Sequence, residues 1–280
     1  EEAVEAALRS VSGGVFSGVY YGEADGMVEV KNEDQTRKIV DDVTGKSFLV
    51  AAIKKGKKKK SAAPPFTTST LQQEASRKLN MVPRRTMSVA QELYEGVDLG
   101  GEYGLTGLIT YMRTDSLRLS DEATAAAADY IKNRYGEAFY PGKPRVFKTK
   151  GGAQDAHEAI RPSNVQIAPE SVRDQLSPDQ YKLYKMIWSR FVACQMADAI
   201  LDTISADITC EGHVFRASGH TVAFPGFTAV YEESTDDDKQ GEKADKNESG
   251  KPLPAFAEGD PLTADKIEPA QHFTQPPARY

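Results

Sequence analysis

Cysteine is scarce: Cys194 and Cys210 are the only two in 280 residues. That is too few for a disulfide framework, and neither belongs to a CxxC pair of the kind that binds zinc or carries redox chemistry. Both read as reduced, partly buried thiols. Apolar runs are short, far below the roughly 18 residues that cross a bilayer, so a transmembrane helix is excluded. Glu1-Glu2-Ala3-Val4-Glu5 is acidic where a secretory leader is basic and then apolar. No leader is expected, and the absence of an initiating Met suits an excised piece. Histidine is rare, with His157, His213, His220 and His272 forming no HExxH pattern. A phosphate-binding loop is missing as well. Gly45-Lys46-Ser47 imitates its last residues, but Val40 stands where the first glycine of the cradle is required.

An excess of positive charge is also lacking, since 35 basic residues face 41 acidic ones for a net charge of −6. Taken whole, the balance argues against a protein that coats nucleic acid without specificity. The distribution weakens that objection: basic and acidic residues number 11 and 10 in 1–65, 17 and 15 in 66–196, and 7 and 16 in 197–280. The acidity belongs to the last third, much of it in 232–250, which has too little apolar surface to order itself and reads as a solvated loop. Its Asp236-Asp237-Asp238 run reads as a diffuse counterion attractor rather than a metal site.

A chain of this length holds about two domains at roughly 150 residues each, with 39% hydrophobic and 27% charged residues close to ordinary globular usage. Lys54-Lys-Gly-Lys-Lys-Lys-Lys60, followed by Pro64-Pro65, reads as a solvated linker whose like charges repel. Contact between these lysines and phosphate is the second reading of the same run. Downstream the signals are helical. Ser69-x-x-Gln72 forms a capping box ahead of Leu71, Ala75 and Leu79, and a Pro83 turn leads to a Met87, Ala90, Leu93, Tyr94 stripe that stops at Gly96. Ser120, Asp121 and Glu122 open an Ala-rich helix that closes at Gly136. Ser177-Pro178-x-Gln180 opens a long helix through Tyr184, Ile187, Trp188, Phe191 and Val192, a stripe that reads as core. Strand-like stretches flank this block: 48–53 before it, and 204–208, 214–215, 221–224 and 262–267 after it. The fold expected is mixed α and β, a discontinuous strand-rich domain of 1–65 plus 197–280 with an all-helical domain, 66–196, inserted into it.

Two polar clusters stand out. Gly107-Leu-Ile-Thr-Tyr111-Met-Arg113-Thr114-Asp115-Ser116 is an apolar lead-in to a string unsuited to a core; Ala156-His157-Glu158-Ala-Ile-Arg161-Pro162-Ser163 sets His157 and Arg161 one turn apart if it is helical. Taken alone, Tyr111 reads as a half-buried strand-end tyrosine. Together the clusters supply a phenol, guanidinium groups, an imidazole and hydroxyls, the set that phosphoryl transfer needs to position a nucleophile and neutralise non-bridging oxygens. A phenol with pKa about 10 is only about one part in a thousand ionised at pH 7, so a neighbouring cation must assist it, and Arg113 is placed to do so. An aryl phosphodiester keeps a good leaving group, so a displaced sugar hydroxyl can reseal the strand without ATP.

The 107–116 string resembles the active-site signature of bacterial type IA DNA topoisomerases. Three further segments resemble that family in the same order: Pro65-Phe-Thr-Thr-Ser-Thr-Leu-Gln-Gln-Glu-Ala-Ser76, the 156–163 cluster, and Gln271-His-Phe-Thr-Gln-Pro-Pro-Ala-Arg-Tyr280. The resemblance implies that Tyr111 takes the 5′ phosphate of a cleaved strand and frees a 3′ hydroxyl. Arg113 then stabilises the phosphoryl charge and His157 hydrogen-bonds the scissile phosphate, with Thr114, Asp115 and Arg161 as DNA-contacting or supporting residues. It also implies a bacterial, cytoplasmic, nucleoid-associated monomer acting on single-stranded or underwound DNA. The family's Mg2+ belongs to a Toprim domain that precedes this region, so no metal is expected in these 280 residues. The Toprim and remaining domains of the same chain are the expected partners.

A non-catalytic DNA-binding module, using the helix-turn-helix-like pair at 69–95, is the main alternative. A tyrosine recombinase, which bonds to a 3′ phosphate, is another. On the family reading this is a central, catalytically incomplete fragment. Incubated alone with Mg2+ and a negatively supercoiled plasmid, it is expected to leave the plasmid supercoiled, and relaxation on an agarose gel contradicts that expectation.

Overall fold

The computed structural model describes residues 2–23, 26–101, 103–148, 157–232 and 252–271. In chain order the elements are β1 (Glu2–Arg9), β2 (Val15–Glu23), β3 (Gly26–Met27), α1 (Glu33–Val43), β4 (Phe48–Lys60), α2 (Thr68–Leu79), α3 (Pro83–Glu95) and β5 (Val97–Asp98). They continue with β6 (Leu105–Thr106), α4 (Asp121–Tyr135), α5 (Pro178–Gln195), β7 (Ala199–Cys210), β8 (His213–Phe224) and β9 (Pro261–Gln271). The fold is mixed α and β, with a seven-stranded sheet and several helices.

Packing divides the chain into two compact units. The strand-rich unit takes the described residues of Glu1–Lys58, Ile200–Ala223 and Lys243–Arg279; the helical unit takes those of Lys59–Ala199 and Phe224–Glu242. These ranges differ from boundaries at 65/66 and 196/197 chiefly at Phe224–Glu242, because Phe227 and Tyr231 bury their rings in the helical core.

In the strand-rich unit the sheet order is β1-β9-β4-β7-β8-β2-β3, and β1 also pairs with β2. The first six strands therefore form a closed ring, which removes the exposed edges an open sheet leaves to unwanted pairing. Period-two burial follows from strand geometry: Val4, Ala6 and Leu8 of β1 turn inward while Glu5 and Ala7 are partly exposed. Phe48, Val50, Ala206, Ile208, Phe215, Ala217 and Leu262 share that interior with Ile39 and Val43 of α1. The strands β1 and β2 and the helix α1 lie outside the stretches expected from pattern, although Asn32 caps α1 through the Gln35 N–H at 3.0 Å.

The lysine run is a correction to the linker expected there. β4 continues through Lys60, because neighbouring β7 supplies the counter-charges that a free linker lacks. Lys57 Nζ lies 3.6 Å from Asp202, and Lys54 Nζ lies 3.5 Å from Asp207. Hydrogen bonding from Arg216, with help from Lys54, holds the Asp207 carboxyl below its ordinary range.

In the helical unit, Ser120 and Ser177 cap α4 and α5 as their sequences suggest, and Gly96 and Gly136 end α3 and α4. The expected cap at Ser69 is corrected to Thr67. Its hydroxyl receives the Thr70 N–H while the Thr70 side chain takes the Thr67 N–H, so α2 begins two residues earlier than expected. Pro83 is the first residue of α3, not part of the turn, which Asn80 makes in the left-handed conformation. The α5 stripe is core: Tyr184 and Trp188 donate to the Ile167 and Val165 carbonyls at 2.6 and 2.9 Å. Cys194 and Cys210 are both buried free thiols, and desolvation pushes Cys194 up to about 12, which leaves it unreactive. Residues 233–251, which hold all but the first residue of the acidic segment, and residues 272–280 lie outside the described residues.

Candidate active site

Three distant segments are laced together by backbone hydrogen bonds on the helical unit. The chain leaves α3 at Gly96, pairs briefly as β5–β6, and then enters the first cluster, which bridges to Pro162 at Ile109 and bends at Met112 and Arg113. Gly107 passes so close to α3 that a Cβ there would lie 2.7 Å from the Tyr94 carbonyl oxygen. Next to it the Leu108 N–H donates to the Leu93 carbonyl at 2.7 Å. The other side of this strand is met by the second cluster. Ser163 N–H donates to Leu108 O and Thr110 N–H to Arg161 O, both at 2.9 Å. The Thr110 hydroxyl donates to Ala159 O at 2.7 Å and accepts the Arg161 N–H at 3.0 Å. The helical alternative for 157–163 is therefore corrected. Pro162 cannot join a helix interior, and the backbone groups of this stretch are used by strands instead, including Ile160 N–H to Phe66 O at 2.8 Å. From α2, Thr68 N–H donates to Thr114 O at 2.9 Å and its hydroxyl to Met112 O at 2.8 Å.

Burial alternates along 111–116: Met112, Thr114 and Ser116 are buried while Tyr111, Arg113 and Asp115 are exposed. The exposed set opens onto a cleft of about 590 Å³ lined by Thr67, Thr68, Ser69, Tyr111, Arg113, Thr114, Asp115 and His157. Tyr111 is 37% exposed, its ring 5.6 Å from that of His157 and 5.4 Å from that of Tyr94. The Thr114 hydroxyl is engaged inward, accepting the Ser116 N–H at 3.0 Å. Arg161 lies apart. Its Nε donates to Glu158 at 2.6 Å and its Nη1 to Pro162 O at 2.9 Å, and it lines a second recess of about 380 Å³ with Ser120 and Asn164.

Five of the six expected site residues thus share one cleft, and Arg161 borders another. Thr67, Thr68 and Ser69 also join the site; they lie in the 65–76 segment that resembles the family, although no site role is expected of them. They bring the positive end of the 12-residue α2 to the same cleft, where its dipole favours an anion. The cleft offers a phenol, a guanidinium, an imidazole, hydroxyls and a helix start, a set suited to a phosphate. Among the described residues it does not suit a divalent metal: Asp115 is the one carboxylate lining it, and no group of three or more His, Cys, Asp or Glu gathers. The Mg2+ implied by resemblance has no donor set here, and Asp236–Asp238 lie outside the described residues.

The sequence profile of the family described as DNA topoisomerase matches residues 4–280. The chain belongs to the DNA topoisomerase family. It is also similar in structure to full-length topoisomerase I from Thermotoga maritima, with a TM-score of 0.71 and 30% identity over 100% of this chain and 42% of that one. Among the described residues no helix is long and apolar enough to cross a membrane.

The closest approach in the lacing supplies its test. Gly107→Ala must push the strand away from α3, and it is expected to destabilise the helical unit by about 1–3 kcal/mol. Thermal or urea unfolding measures this, and an unchanged midpoint contradicts the geometry.

Proposed function

We propose that these residues are the strand-gate portion of a type IA DNA topoisomerase, with Tyr111 as its nucleophile. The observation that carries this reading is the presence of Tyr111, Arg113 and His157 around one open cleft in a chain of this family. In the forward step the Tyr111 phenol oxygen bonds to a DNA phosphorus and the P–O3′ bond breaks. The phenol proton is lost, and the departing 3′ oxygen takes up a proton to become a hydroxyl. Arg113 offsets charge on the non-bridging oxygens, His157 hydrogen-bonds the same phosphate, and the start of α2 adds positive potential. The phosphotyrosyl bond retains the energy of the phosphodiester, so attack by the 3′ hydroxyl restores the DNA without ATP.

The chain spans 42% of the Thermotoga maritima protein, and the activity of a longer polypeptide follows only as part of the proposal. That polypeptide relaxes negatively supercoiled DNA by cleaving one strand, passing another and resealing. It acts on single-stranded or underwound DNA as a cytoplasmic, nucleoid-associated monomer, and takes its Mg2+ on a Toprim domain. The 280 residues alone do not relax DNA. A purely DNA-binding role for the α2–α3 pair has less support, because the first residues of α2 face the tyrosine cleft.

In the complete polypeptide, Tyr111→Phe is expected to abolish the covalent complex with end-labelled single-stranded DNA on a denaturing gel while leaving binding intact. Arg113→Ala is expected to slow complex formation about a hundredfold or more, the usual loss for one charge-stabilising donor at roughly 3–4 kcal/mol. A covalent complex that persists in Tyr111→Phe contradicts the nucleophile assignment, and near-normal cleavage by Arg113→Ala removes that residue from the site.

A further inference from the structure

Among the described residues Tyr111 has two aromatic neighbours, and the mechanism uses only His157. The other is Tyr94, the next-to-last residue of α3, whose ring lies 5.4 Å from that of Tyr111 at 67° between planes. This is the edge-to-face arrangement that the ring quadrupoles favour. Burial does not account for an aromatic at this position. Val89, Ala90 and Leu93 supply the core face of α3, whereas Tyr94 is 41% exposed. Its backbone, however, is fixed relative to the nucleophile's strand: the Tyr94 carbonyl closes against Gly107, and the preceding carbonyl accepts from Leu108 at 2.7 Å.

An exposed tyrosine samples several χ1 wells, which disperses a nucleophilic oxygen carried at the far end of the ring. A displacement of about 1 Å at a reacting atom can cost on the order of a hundredfold in rate. We propose that Tyr94 is a positioning residue for the nucleophile: its ring, anchored at the end of α3, restricts Tyr111 to the rotamer that lines the cleft with Arg113 and His157. The role belongs to the ring and not to its hydroxyl, and it rests on the reading of Tyr111 as nucleophile.

The test is single-turnover formation of the covalent complex by the complete polypeptide on a labelled single-stranded oligonucleotide. Tyr94→Ala, Tyr94→Leu, Tyr94→Phe and Tyr111→Phe are compared, with oligonucleotide Kd and Tm measured for each. Tyr94→Ala is expected to be about tenfold slower, the upper range of one aromatic pair, with Kd unchanged within about twofold, and Tyr94→Phe to restore the rate. A merely structural role would move Tm and Kd with the rate. A Tyr94→Ala rate within about twofold of the parent overturns the proposal, as does Tyr94→Phe being as slow as Tyr94→Ala. Should Tyr94→Ala not fold, Tyr94→Leu against Tyr94→Phe decides by the same criterion. A complex surviving Tyr111→Phe refutes the nucleophile itself, whereas a Tyr111-dependent complex with a normal Tyr94→Ala rate refutes only the positioning role.

Discussion

The site depends on the short ladder in which Leu108 and Thr110 exchange hydrogen bonds with Ala159, Arg161 and Ser163. Buried backbone groups must find partners, and here they find them in a segment some fifty residues away, with Leu93 on the other side. Beyond that ladder Thr68 of α2 holds the chain through the Met112 and Thr114 carbonyls. Met112, Thr114 and Ser116 turn into the unit, and Tyr111, Arg113 and Asp115 turn out. His157 arrives beside Tyr111 because its own segment is the ladder's other strand.

The chemistry the cleft can support follows from what it gathers. A phenol on its own is a weak nucleophile near neutral pH. In the proposed reaction, charge developing on the attacking oxygen and on the phosphate meets the positive potential of a guanidinium and a helix start. Ionic residues elsewhere are arranged differently: on β4 the lysines face carboxylates of β7, and Arg161 is held by Glu158. Arg113 instead lines a cleft where, among the described residues, hydroxyl groups predominate and Asp115 is the one carboxylate.

What is legible in the sequence is local. The Ser120 and Ser177 caps and the Gly96 and Gly136 stops depend on contacts within a few residues, and the two polar clusters announce themselves by being unfit for a core. What is hidden is non-local. The run 54–60 reads as a repelling linker until β7 brings its carboxylates alongside, and 157–163 allows a helix until its partner strand is known. Closure of the ring through β1 and β2 leaves no short-range signal. Thr67 and Ser69 can both cap α2, and only the bonds of 66–68 to distant strands decide between them. The alternation at 111–116 is available to a period-two reading, whereas Tyr94 reads locally as one more member of a helix stripe.

The most direct measurement is peptide mapping by mass spectrometry of the covalent complex trapped between the complete polypeptide and a single-stranded oligonucleotide. The account predicts a nucleotide on the peptide containing Tyr111, bonded through its 5′ phosphate, with a free 3′ hydroxyl on the released DNA. A nucleotide on any other residue, or one bonded through a 3′ phosphate, contradicts it.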